Sequence, residues 1–275
     1  MEEKIKKYIK ANYHTHTFLC KHAIGDVEDY VERAILLGYH TIAITDHGPF
    51  PKFLQKKLNS RRMSLEQYSE IYLDHLERAK KNHEKEIKIL TGLEIEYMDE
   101  LNPYYERFLS DLDFLILGQH YIKVNGECVS VFEHQLSDEE IDIYVDTVIK
   151  GMESGRFKIL AHPEIFSWDI VQWNDTCTKA AQRIIASAIQ NHVILEINVN
   201  GVRNSLYQRK EIIKDNTIVN YPYPRLEFWK LAEEMDALVM INDDAHAPNR
   251  ICDEYTLMVY EAVIKYTKLH LVDHL

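Results

Sequence analysis

The sequence predicts an α/β fold, a seven-unit barrel of parallel strands wrapped by helices. Three observations predict it. Short apolar runs alternate with longer amphipathic stretches, seven times over. Most runs are aliphatic or β-branched on both faces, the pattern of parallel strands covered by helices. Metal-ligand residue types recur near the C-terminal ends of these runs, and a closed barrel brings such ends to one face. An open sheet would spread them along a line.

The runs are Ala11–His14, Thr41–Thr45, Ile87–Ile95, Phe114–Gly118, Phe157–Ala161, Val193–Asn198 and Ala237–Ile241. Helices are expected between them. Asp26 can cap one that runs to Gly38. Ser64 with Gln67 and Ser137 with Glu140 fit the capping box, a hydroxyl at the cap and a Glu or Gln three residues on. Asp175 can cap Thr176–Asn191, Pro222-Tyr-Pro224 precedes a helix to about Met235, and Ile251–Lys268 reads as the last helix. Phe50–Met63 and Tyr121–Gln135 read as long loops, which in compact domains are often functional.

With 275 residues, 9 Gly and 7 Pro scattered along them, nothing splits the chain, so residues 1–275 read as a single domain. Lys plus Arg is 32 against 44 Asp plus Glu, and the net charge of −12 argues against general affinity for nucleic acid or anionic membrane. No apolar run approaches the ~18 residues of a membrane span. Met1 to Lys10 is charged and lacks the apolar core of a signal peptide. The four cysteines form no CxxC pair and no disulfide framework for a chain this size. A cytoplasmic address is expected, and a small-molecule partner rather than nucleic acid or membrane.

Fourteen residues are histidine, and their placement matters. His40, His75, His83, His134, His192, His270 and His274 fall on predicted helices, turns or the tail, where a solvated or capping histidine is ordinary. The other seven fall at strand ends or in the loop after His16. The first run meets His14-Thr-His16 and the second ends in Asp46-His47. The third contains Glu94, the fourth leads to His120, the fifth gives His162, the sixth ends around Glu196 and Asn198, and the seventh gives Asp243-Asp244-Ala-His246. On an extended segment residues i and i+2 face the same side, so His14 and His16 can reach one ion. Asp244-x-His246 repeats that spacing with a carboxylate. Neutral imidazole suits Zn, Fe or Mn, and a carboxylate can bridge two ions. No cysteine is expected in the cluster, which excludes a closed Cys-rich structural zinc site.

Together these residues resemble the PHP (polymerase and histidinol phosphatase) family of metal-dependent phosphoesterases. The matches are His14-x-His16, His22, Thr45-Asp46-His47, Gly92-Leu-Glu94, His120, His162-Pro163 and Asp244-Ala-His246, in family order over nearly the whole chain. The resemblance implies a distorted (β/α)7 TIM-like barrel with three divalent transition-metal ions (Zn, Mn or Fe). By it, His14, His16, Glu94 and Asp244 would hold one ion. Glu94 would bridge to a second held by His120 and His162. His22, His47 and His246 would hold the third. The chain looks most like the stand-alone histidinol-phosphate phosphatases, with Val199–Arg203 and Tyr221–Pro224 similar to their substrate loop. The expected reaction is hydrolysis of L-histidinol phosphate to L-histidinol and phosphate, a step of histidine biosynthesis.

Roles follow from the chemistry. Ions of this kind activate water for attack on phosphorus. Arg203 is the candidate cation for the phosphoryl oxygens, with its planar fork. Arg61 and Arg62 read as a solvated helix start. Asp244 could take the proton of the attacking water while ligating. Asp46 could orient its neighbouring ligand or act as acid to the leaving alkoxide, the orienting role being preferred. Glu196 could meet a substrate amine or serve a buried histidine. The alternatives are a nucleotide or oligonucleotide phosphoesterase, which the acidic charge disfavours, and a non-catalytic binding barrel, which would need none of the nine ligand positions. A C–N hydrolase with a carboxylated lysine is a third, and no lysine stands at these strand ends.

Overall fold

The computed structural model describes residues 9–208 and 223–275, with side chains for 9–204 and 223–275. Tyr221 and Pro222 of the expected substrate loop lie outside them. The chain divides into two compact units. The first is Met1–Ile116 with Asn242–Leu257 and His274, and the second is Leu117–Ile241 with Met258–Asp273 and Leu275. Neither unit is one continuous stretch of chain.

The first unit carries β1 (Ala11–Asn12), β2 (Thr41–Ile44), β3 (Lys88–Ile95) and β4 (Phe114–Leu117), side by side in that order. β1 pairs in parallel with β2, and β2 with β3, Ile42 opposite Ile89 and Ile44 opposite Thr91. Between β1 and β2 runs α1 (Val27–Leu36). It starts as the sequence says: the Asp26 carboxylate accepts from the Val27 amide, and Asp29 accepts from the Asp26 amide. Val27, Tyr30, Val31 and Ala34 recur at helical spacing and are buried. The Phe50–Met63 stretch is not all loop, since it contains α2 (Lys52–Lys57). The Ser64–Gln67 capping box is formed, and it opens a helical stretch that ends in α3 (Leu73–Asn82) after a π-helical turn at Tyr68–Tyr72. That turn faces inward: the buried Tyr72 hydroxyl donates to the carbonyls of Ile44 and Gly92, tying β2 to β3. α4 (Asn102–Asp111) leads into β4.

The second unit opens with a two-stranded hairpin, β5 (Tyr121–Val124) and β6 (Glu127–Ser130), inside the stretch expected to be loop. α5 (Asp138–Glu153) starts at the Ser137–Glu140 capping box. β7 (Ile159–Leu160), α6 (Asp175–Gln190) and β8 (Ile194–Asn198) follow, and β7 pairs in parallel with β8. Asn174 caps α6, not Asp175, because its side chain reaches the Cys177 amide at 2.9 Å. Ala180, Ala181, Ile184, Ile185 and Ala188 form its buried face, and each fully buried isoleucine contributes about 1.5–3 kcal/mol. The expected loop at Val199–Arg203 is instead the start of α7 (Val199–Gln208). α8 (Leu226–Glu234), β9 (Leu238–Asn242), α9 (Glu254–Tyr266) and β10 (His270–Leu271) complete the chain. β10 is an eighth parallel strand, paired with β9, in the tail where none was expected. No described helix is long and apolar enough to cross a membrane.

Candidate metal centre

In the first unit the ladder continues past the strands and sets the candidate ligands in register. Thr15 bridges Ala245 in parallel: the His16 amide donates to the Ala245 carbonyl at 2.9 Å and the Ala245 amide to that of His14 at 3.2 Å. His14-x-His16 therefore lies alongside Asp244-x-His246. The intervening Thr15 turns the other way and donates from its hydroxyl to the Ala43 carbonyl at 2.7 Å. A second bridge joins His47 to Glu94, with the Glu94 amide shared between the carbonyls of Thr45 and Asp46. Two residues before Glu94, Gly92 lets the start of β4 come close, since a Cβ there would sit 2.7 Å from the Phe114 carbonyl oxygen.

Four donor atoms converge. His14 Nε2 and His16 Nε2 are 3.0 Å apart, and His16 Nε2 is 2.9 Å from Asp244 Oδ1. Glu94 Oε2 lies 3.5 Å from His14 Nε2 and 3.6 Å from His16 Nε2, and Asp244 Oδ1 lies 3.8 Å from His14 Nε2. A tetrahedral ion with ligands at about 2.0–2.1 Å would separate its donors by about 3.3 Å. The five measured edges bracket that value, so the set fits a metal ion on its own geometry. Glu94 Oε2 is also 2.8 Å from His47 Nδ1.

A second imidazole group adjoins it. The His16 ring lies 4.2 Å from that of His47 and 4.3 Å from that of His246, and His22 lies 5.1 and 4.8 Å from those two. The ligand atoms of Cys20, His22 and His246 all fall within 4.8 Å of one another. The expectation that no cysteine joins the cluster is therefore corrected: Cys20 is fully buried beside two of the histidines. It stands two residues before His22, and that i, i+2 spacing was its visible signal.

The electrostatics describe a site built for positive charge. Burial opposes charge on His16, but the carboxylates of Asp244 and Asp46 outweigh it and lift its pKa to about 9. Burial and the nearby His16 charge push His246 down to about 3 and hold His47 well below its ordinary value. Burial would raise Asp244, yet His14, His246 and His16 hold it well below the carboxylate range. Burial also pushes the Cys20 thiol up to about 12, with Asp46 adding to it. Asp244 sits at φ 46, in the left-handed region, a conformation that costs of order 1–3 kcal/mol and gathers at functional sites.

Around the donors stand residues that aim them. Asp46 is fully buried and accepts from the Thr17 amide and hydroxyl and, at 2.7 Å, from the His47 amide, with His16 Nδ1 3.5 Å away. These are the contacts of an orienting group. Asp243 accepts from the Cys252 amide and the Thr256 hydroxyl, which fixes the backbone beside Asp244. Arg62 is not the solvated residue expected. It is 7% exposed, ion-paired through both terminal nitrogens with Glu96, and stacked 4.5 Å over the Phe50 ring. Arg61 is exposed.

The second unit holds the remaining candidates. The His120 and His162 rings are 5.0 Å apart, and His162, like Asp244, is left-handed, at φ 34. Glu196 is fully buried and accepts from Asn198 at 2.8 Å. Arg203 is 9% exposed on α7. Glu164 was missed by the sequence reading: it is buried, accepts from Trp229 Nε1 at 2.8 Å, and burial lifts its carboxyl to about 7. Among the histidines read as ordinary, His75 meets Asp26, His83 meets Glu28 and Glu86, His134 meets Glu140 and His270 meets Asp236.

Comparison with known proteins agrees with this geometry. Residues 12–200 match the family described as "PHP domain". A Bacillus subtilis protein named "Histidinol-phosphatase" is 28% identical over 137 residues, which are 47% of this chain and 51% of that protein, so the alignment spans about half of it. A Deinococcus radiodurans protein named "Probable histidinol-phosphatase" is 23% identical over 86% of each chain. Among solved structures, the Listeria monocytogenes hisK protein superposes with a TM-score of 0.70 at 18% identity, covering 90% of this chain and 99% of that one. Histidinol phosphate phosphatase from Lactococcus lactis, complexed with zinc, L-histidinol and phosphate, gives 0.65 at 16% identity over 96% and 95%. These likenesses show the fold, α/β of the distorted-barrel type. With its family match running from β1 to β8, over more than half of its length, the chain belongs to the PHP family.

Proposed function

We propose that the chain hydrolyses a small phosphomonoester, with L-histidinol phosphate the substrate that the names of its relatives favour. The carrying observation is the convergence of the His14, His16 and Glu94 donor atoms, with Asp244 beside both histidines. Ions held there would polarise the phosphoryl oxygens and lower the pKa of water. In this reading His120 and His162 ligate a second ion, and His22, His47 and His246 serve a third. Asp244 takes the proton from the attacking water on its carboxylate. Asp46 keeps the His16 ring and the His47 backbone in place. Arg203 grips the phosphoryl oxygens, and Glu196 meets an ammonium group on the leaving alcohol. The whole chain acts as one domain in the cytosol, and its four cysteines are free thiols.

Phosphate release from a panel of phosphomonoesters, by metal-loaded protein, tests the reading. L-histidinol phosphate should exceed p-nitrophenyl phosphate and nucleotides in kcat/KM. A higher value on oligonucleotides or 3′,5′-nucleotides would make the chain a nucleic-acid phosphoesterase instead.

A further inference from the structure

Five rings in the second unit form a closed circuit. His162 lies 6.0 Å from Tyr223, Tyr223 5.5 Å from Trp168, Trp168 5.1 Å from Phe132, Phe132 6.1 Å from His120, and His120 5.0 Å from His162. Separate pieces of backbone put them there. The Val131 amide donates to the His120 carbonyl at 3.0 Å, which pins the end of the β5–β6 hairpin, and so Phe132, beside that histidine. A 3-10 turn at Ile165–Ser167 starts with the Ile165 amide on the His162 carbonyl and delivers Trp168. Tyr223 crosses Gly201, where any Cβ would overlap its ring. Trp168 and Tyr223 are 8% and 4% exposed, while Phe132 is 36% exposed and marks the open edge.

The phosphatase reading uses the two histidines, has Tyr223 in the expected substrate loop, and leaves Phe132 and Trp168 without a role. We propose that Phe132, Trp168 and Tyr223 form the leaving-group subsite, and that it takes a flat aromatic ring. Aromatic faces and edges favour a ring set edge-on or offset, and Phe132 and Trp168 already meet at 89°. A cationic group suits the same faces, but divalent ions held by His120 and His162 would repel it from them, so the ammonium group stays with Glu196 and the ring takes the aromatic faces. This inference rests on the phosphatase reading.

Benzyl phosphate and cyclohexylmethyl phosphate test it on the metal-loaded full chain. Both release a primary alcohol of similar size, and only one carries an aromatic ring. The wild type should favour benzyl phosphate in kcat/KM by about tenfold, the scale of one or two aromatic contacts. Phe132→Leu, at the exposed edge, and Trp168→Leu should each bring that ratio toward one, chiefly through a higher KM for benzyl phosphate. A wild-type ratio near one, or a ratio that survives both substitutions, overturns the inference and leaves the phosphatase reading standing. Failure to release phosphate from any phosphomonoester overturns both.

Discussion

Asn12 and Asn242 exchange backbone partners across the two chain segments that carry His14, His16, Asp244 and His246. Asn12 Oδ1 accepts from the Asp243 amide at 2.7 Å, and Asn242 Oδ1 accepts from the Tyr13 amide at 2.9 Å. Both side chains are 1% exposed. The exchange sets His14 and Asp244 level before any ion binds. Asn12→Ala leaves the Asp243 amide without its acceptor in a dry site, a cost of about 1–3 kcal/mol. Thermal unfolding should show that loss, and metal titration should show affinity weakened by about tenfold with all nine ligand side chains intact, the scale of lost outer support.

Asp244→Asn should abolish turnover without unfolding the chain. Asparagine tolerates the left-handed backbone at least as well as aspartate, so φ 46 carries no new strain. The metal-free variant should unfold within a few degrees of the wild type, while its gain in Tm on adding Zn or Mn should shrink. A large fall in the metal-free Tm would show that the carboxylate serves packing instead.

His83→Ala should leave kcat/KM within about twofold. Its effect belongs to stability and has a sign. Burial opposes charge on His83, but Glu28 and Glu86 outweigh it and raise its pKa. The stabilisation is therefore present below the unfolded value of about 6.5 and is lost as pH rises through the folded value. Exposed pairs of this kind are weak, so the Tm deficit at pH 5.5 should be about 1–3 °C and should shrink at pH 9.

Arg203→Met keeps much of the aliphatic stem and removes the fork. A charge-assisted bond to phosphate is worth about 1.5–3 kcal/mol, so kcat/KM should fall by about ten- to a hundredfold. A rise in KM alone would mean equal grip on ground and transition states, and a fall in kcat would mean grip on the transition state. A loss under twofold, with metals bound, would remove Arg203 from the phosphate site.

The strands were legible because burial on both faces leaves a plain mark, as in Phe114–Leu117. The converging donors were legible because strand ends present them one after another, and His14-x-His16 carries its geometry in its spacing. The β5–β6 hairpin could have been read from Asn125-Gly126, which take φ 52 and 84 at its turn. The start of α7 could not. Asn200-Gly201 has the composition of a loop, yet the glycine is there because the Tyr223 ring crosses it, a tertiary reason that no local pattern carries. Arg62 was misread for a similar cause: its partner Glu96 is 34 residues away. A two-residue strand such as β10 leaves no period to find.

Strand register assembles the His14, His16, Glu94 and Asp244 donors, and by the proposed function these hold metal. Elemental analysis of protein purified without chelator, then supplemented with Zn, Mn or Fe and freed of excess, tests it most directly. The chain should carry about three ions, fewer in His14→Ala and Glu94→Ala, while His83→Ala should keep the full number. Fewer than two ions per chain after supplementation, or an unchanged number in His14→Ala and Glu94→Ala, would contradict it.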